Sequence, residues 1–166
     1  LWTTEGDFLA ATLFLGLCRE YGAANVIDWP WKASYHGDTA FYPSVYGPEH
    51  GVGTTGPFAW FPAQEGNRWT TDDVHRRIGD FDLVLVSQRD HGVAHMRELI
   101  GAVGRNAIRR VAIFDGQDDA SIRWDVAAEF DAGVYFKREL LDPAKERRGM
   151  CRLLPCPFAS PLTRLP

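Results

Sequence analysis

The six residues FDGQDD, at positions 114–119, concentrate the acidic chemistry of this chain. The apolar run RVAIF leads into them and reads as a buried strand, so Asp115 stands at a strand's carboxyl end. Asp118 and Asp119 then fall where the positive N-terminal end of a following helix favours carboxylates. The next apolar run, GVYF, ends in Lys137, Arg138 and Glu139, and an earlier one, DLVLVS, ends in Gln88, Arg89 and Asp90. A carboxylate at one strand end beside a basic pair at the next has two functional uses. It can hydrogen-bond a ligand hydroxyl, or it can order Lys137 and Arg138. A purely structural account is the plainer one, with Asp115 a strand-end carboxylate and Asp118 and Asp119 helix caps.

Other residue patterns suggest chemistry but lack its context. His91 and His95 are four apart, so on a helix they share a face, as zinc ligands can, with Asp90 or Asp115 as a third donor. Nothing nearby completes such a set, and two partly exposed helix histidines is the simpler reading, so no metal or cofactor is expected. GVGTTG at 51–56 matches the dinucleotide pattern G-x-G-x-x-G. That pattern works where a strand delivers the chain to the glycines and a helix offers its amides to the pyrophosphate. Here YGPEH precedes it and Pro57 with an aromatic cluster follows, so it reads as a turning loop. No G-x-S-x-G elbow is present for a serine hydrolase. A response-regulator-type phosphate acceptor would need an acidic pair at the end of the first strand, which the sequence does not show.

The elements that must position the strand ends follow from periodicity and punctuation. Thr4 and Asp7 have capping spacing, residues 8–17 are apolar around most of a helix, and Gly22 marks its end. Residues 25–29 read as a strand halted by Pro30. Thr70 and Asp73 open a short helix that runs to Ile78 and stops at Gly79. Strands are predicted over 82–87, 110–114 and 133–136, with helices over 91–103 and 121–130 between them, and residues 150–154 add an edge strand. Strands alternating with helices imply right-handed crossovers and an α/β, Rossmann-like three-layer sandwich with a mostly parallel sheet. The exception is a long aromatic-rich loop over residues 30–69, carrying Trp31, Tyr35, Phe41, Tyr42, Tyr46, Phe58, Trp60, Phe61 and Trp69, with no strand or helix period. So long a connection within a compact domain is usually a lid or binding loop.

Composition excludes several classes of partner. With 45% hydrophobic residues, 24% charged and a net charge of -4, the chain has no basic excess to bind nucleic acid or an anionic membrane. At 166 residues it has the length of one domain, able to bury roughly 70% of its unfolded surface. The longest apolar run, residues 8–18, is too short for a membrane span of about 20 residues. Three cysteines, Cys18, Cys151 and Cys156, without paired C-x-x-C units, read as reduced thiols in a cytoplasmic protein. The start, which has no Met and no signal-peptide pattern, reads as trimmed, with Leu1 and Trp2 ending a first strand.

The order of DFLAATLFLGL, NVIDWP, DLVLVS, VAIFDGQDD, YFKREL and the closing PFASP resembles the N-terminal half of bacterial glycosyltransferase-like proteins of GT-B fold, in the spore-maturation-protein-B-like group. The resemblance spans nearly the whole chain but contains no invariant catalytic signature. It implies that residues 1–166 form one Rossmann-like domain, the acceptor side of a two-domain enzyme and inactive alone. A C-terminal nucleotide-sugar-binding domain would then lie outside this chain. The partner would be a sugar or glycan acceptor, and the cleft-facing rim would be Asp115, Asp118, Asp119, Lys137, Arg138 and Glu139, with the aromatic loop as a lid that packs on sugar C–H faces. Two other classes fit the residues alone: a non-catalytic flavodoxin- or response-regulator-like binding module, and a metal-dependent hydrolase using His91, His95 and an aspartate.

Overall fold

The computed structural model describes residues 8–31, 69–117, 120–138 and 151–155. These fall into two compact units, residues 8–31 with 69–70 in one and residues 71–155 in the other. The predicted strand at Leu1 and Trp2, the Thr4–Asp7 cap, the glycine motif at 51–56, most of the aromatic loop and the closing PFASP lie outside the described residues.

In the first unit, helix α1 spans Phe8–Tyr21. Phe14 and Cys18, one turn apart, are buried. Gly22 follows at φ 82, a backbone conformation that costs glycine little, as its place after the last apolar residue predicts. The side-chain amide of Asn25 donates to the Tyr21 carbonyl at 2.8 Å, satisfying one of the acceptors a helix end leaves open. The strand expected over residues 25–29 does not form. Asn25 closes a 3-10 turn over Ala23–Asn25 by donating its backbone N–H to Gly22 at 3.0 Å. Val26 is extended at φ -125 and ψ 121, but no strand pairs with it among the described residues. Two β-branched residues give propensity without a ladder to join.

Burial, and then the neighbouring Asp28 carboxylate, pushes the Cys18 thiol up from 9.0 to about 11. Because the folded value lies above the unfolded one, the stabilisation is complete below pH 9 and is lost as pH rises through about 11. Cys18 in the native protein should therefore resist iodoacetamide at pH 8 and react on unfolding, since the thiolate is the nucleophile. Melting measured across pH 9–11 should fall less steeply in Cys18→Ala than in the parent. Rapid alkylation of the native thiol, or an unchanged slope, would contradict this.

In the second unit, helix α2 covers Thr71–Arg77 and tightens into a 3-10 turn over Ile78–Asp80, burying Val74 and Ile78 four apart. The α-helix ends at Arg77, one residue before the expected Ile78, and Gly79, the expected stop, lies inside that 3-10 turn. Strand β1 is Val84–Ser87, and helix α3 is Asp90–Val103. Strand β2 is Val111–Asp115, helix α4 is Trp124–Glu129, and strands β3 and β4 are Val134–Lys137 and Arg152–Pro155. The sheet is all parallel in the order β1-β2-β3-β4, which is the predicted α/β, Rossmann-like arrangement. Helix α4 is three residues shorter at its start than its apolar pattern suggested. Arg123 precedes it at φ -81 and ψ 70, outside the helical region, with its N–H 3.4 Å from the Tyr135 hydroxyl.

The register explains where the core sits. Val86, Ile113, Tyr135 and Leu153 are aligned across the four strands and are all buried, so one face of the sheet is dry. The other face carries Leu85, Ala112, Val134 and Arg152 in one row and Ser87, Phe114, Phe136 and Leu154 in the next. Most of these are half-buried, and only the β2 residues are fully covered. β2 is buried at every position because it has a neighbour on each side and its side chains are covered on both faces. Helix α3 buries Val93, Met96 and Leu99 at a spacing of three, and α4 buries Val126 and Ala127, with Phe130 just beyond. Each of the larger ones contributes about 1.5–3 kcal/mol of apolar transfer. Arg105 ties these layers: its guanidinium donates to the carbonyls of Ile108 at 2.7 Å and Phe130 at 2.9 Å.

Candidate functional site at the carboxyl edge of the sheet

Four parallel strands point their carboxyl ends to one edge, and ligands of open α/β sheets bind outside that edge. The strand order shows no reversal among the described strands, so strand direction alone locates the edge here. The last ladder row places Asp115 opposite Lys137, and Gln88 continues it from the other side by donating its backbone N–H to Phe114 at 3.0 Å.

At the centre of this row lies a buried polar network. Lys137 Nζ donates to Asp115 Oδ2 at 3.0 Å, with the two side chains 0% and 1% exposed. The Tyr135 hydroxyl donates to the same oxygen at 2.8 Å. Asp115 Oδ1 accepts the backbone N–H of Gln117 at 3.0 Å, and Lys137 Nζ lies 3.5 Å from the Gln117 carbonyl. Burial first, and then the bond to Asp115, pushes the Tyr135 phenol well above the usual tyrosine range, so it stays a neutral O–H donor. Its ring lies 6.1 Å from that of Trp124, at 48°. Alternation along β3 explains the partnership: Tyr135 and Lys137 are two apart, so both project onto the dry face where Asp115 also lies.

Of the sequence candidates, the structure therefore brings Asp115 and Lys137 together. Their polar groups are taken up by one another, by Tyr135 and by Gln117, so their chemical role is orientation. Through Gln117 they lock the turn that follows β2, as an aspartate side chain bonding two residues on commonly does. Arg138 is half-buried and donates its backbone N–H to the Asp115 carbonyl at 3.0 Å, extending the ladder. Arg89 is half-buried at the N-cap of α3, where its side chain makes no capping bond. Asp118, Asp119 and Glu139 lie outside the described residues. His91 and His95 both lie on α3, with His95 Nδ1 3.5 Å from Glu98. No group of three or more His, Cys, Asp or Glu residues that could hold a metal occurs among the described residues. Nor is any helix among them long and apolar enough to cross a membrane.

Sequence reasoning missed Tyr135 and gave Gln88 no role. The signal for Tyr135 was its spacing of two from Lys137; it was read only as strand apolar surface. Gln88 is buried at 9% exposure, and its Oε1 has no hydrogen-bond partner among the described residues. No protein-family model matches the chain, no curated protein matches it and no solved structure matches it, so strand order and register establish the fold, and the glycosyltransferase resemblance rests on the sequence pattern alone.

Proposed function

We propose that this chain is the acceptor-side, sugar-binding domain of a glycosyltransferase-like protein, inactive alone, with the nucleotide-sugar site in a further domain. The observation that carries the reading is the buried Asp115–Lys137 pair, which fixes the Gly116–Gln117 turn at the carboxyl edge of an all-parallel sheet. A turn locked from below presents its backbone groups at a ligand edge in one geometry, which lowers the ordering cost of binding. Asp115 engaged through both oxygens and 1% exposed also argues against a response-regulator-type phosphate acceptor, which needs an open carboxylate. The buried free thiols Cys18 and Cys151 fit a reducing, cytoplasmic location.

Thermal unfolding with UDP, GDP and simple monosaccharides tests this. At ten times its Kd a sugar stabilises by about 1.4 kcal/mol, equivalent to a rise of roughly 3–6 °C in a domain of this size. The expected result is a rise with at least one monosaccharide and none with UDP or GDP. A rise with a nucleotide alone, or with no compound at all, would overturn the acceptor-side reading.

A further inference from the structure

We infer that the Gln88 side-chain oxygen is the acceptor for a ligand hydroxyl at this edge, and so a specificity-determining contact of the proposed sugar site, an inference that rests on the reading above. Gln88 is held in place twice. Its backbone N–H joins the ladder at Phe114, and only Gln88 and Arg89 separate β1 from α3. The ladder row sets it beside Asp115, which in turn pairs with Lys137.

Within that row the polar groups of Asp115 bond Lys137, Tyr135 and Gln117, while the Gln88 oxygen is buried without a hydrogen bond among the described residues. Buried acceptors are almost always paired in folded proteins, and one left unmade is costly. A carbonyl oxygen takes only a donor, so what completes it is an O–H or N–H group. A monosaccharide supplies hydroxyl donors along a rigid ring, and a site built to bond one hydroxyl discriminates strongly against the analogue lacking it. A polar group that breaks a local rule of burial at the edge where ligands bind is where function is expected to compete with stability.

Gln88→Met keeps the length of the side chain and removes the acceptor. Melting without ligand and titration calorimetry with glucose, galactose, mannose and N-acetylglucosamine, together with the deoxy analogues of whichever binds the parent, read the result. The expected outcome is a variant that melts at or above the parent and binds that sugar at least tenfold more weakly. One deoxy analogue should bind the parent at least tenfold more weakly than the sugar does, a difference that disappears in the variant. A lower melting temperature would show that the carboxamide has an internal structural partner and overturn the inference. Equal sugar affinity in parent and variant would overturn it while leaving the acceptor-side reading in place. Failure of every sugar to bind the parent would remove both.

Discussion

Replacing Lys137 by Met is expected to destabilise the protein by about 3–5 kcal/mol, because it leaves the Asp115 carboxylate as an unpaired charge in a dry interior. The magnitude comes from the broken partnership more than from the attraction itself. Taking two ions out of water costs several kcal/mol each, and a buried pair returns this only where geometry and additional hydrogen bonds are good. Here the Asp115 carboxylate has three donors, from Lys137, Tyr135 and Gln117, so the pair is well satisfied. Removing the ammonium leaves only the hydroxyl and the amide.

The double variant Asp115→Asn with Lys137→Met separates these terms. The carboxamide carries no charge, can still accept from Gln117 and can exchange a hydrogen bond with the Tyr135 hydroxyl. The double variant's loss should therefore be about 1–3 kcal/mol smaller than the sum of the two single losses, the coupling typical of residues in one network. Denaturant unfolding of the parent, both single variants and the double variant closes the cycle. Additive losses would show that the two side chains do not act as a pair. The same cycle bears on the role of the turn: if Asp115 and Lys137 only filled the core, hydrogen exchange at the Gln117 amide would follow global stability in every variant. An amide that exchanges faster in Lys137→Met than global stability accounts for marks a turn held by the pair.

Why the fold was legible while the site was only partly so can be traced to particular residues. DLVLVS, RVAIF and GVYF are short, β-rich and separated by helix-length segments, and in a parallel sheet such runs carry both element type and strand direction. Residues 25–29 failed the same reading because a local apolar run cannot report whether another strand is available to pair with it. Helix α4 was overdrawn for a related reason: nothing within residues 121–123 shows that the Arg123 N–H faces the Tyr135 hydroxyl on a neighbouring strand. The Asp115–Lys137 pair could be anticipated, since both residues end consecutive strands. That the pair is sealed, with Tyr135 as its third member, depends on which face of the sheet is covered, and this is set by helix packing rather than by any single strand. Gln88 was the least legible, because an unpaired buried oxygen is a property of surroundings contributed by several elements.

Gly92→Ala is the other substitution expected to have a large effect, in the opposite direction to the usual gain from replacing a helix glycine. Alanine in an open helix interior stabilises by up to about 1 kcal/mol relative to glycine. At position 92, however, a Cβ would overlap the Ser87 carbonyl oxygen and stand 2.9 Å from the Ser87 Cβ. The obstacle is backbone, so no side-chain rotation relieves it. Either the first turn of α3 lifts from the end of β1, or β1 shifts against β2 and strains the Gln88–Phe114 ladder bond. Overpacking of this kind typically costs about 1–3 kcal/mol beyond any propensity gain. Gly101 is the internal control, since it lies on the same helix, and a Cβ there meets nothing within 4 Å. Gly101→Ala should therefore raise the denaturation midpoint while Gly92→Ala lowers it, and two midpoints moving the same way would contradict the close approach. The contrast reaches the proposed site as well. If the tight β1–α3 turn is what fixes Gln88, Gly92→Ala should weaken sugar binding at temperatures where the variant remains folded, whereas Gly101→Ala should leave it unchanged.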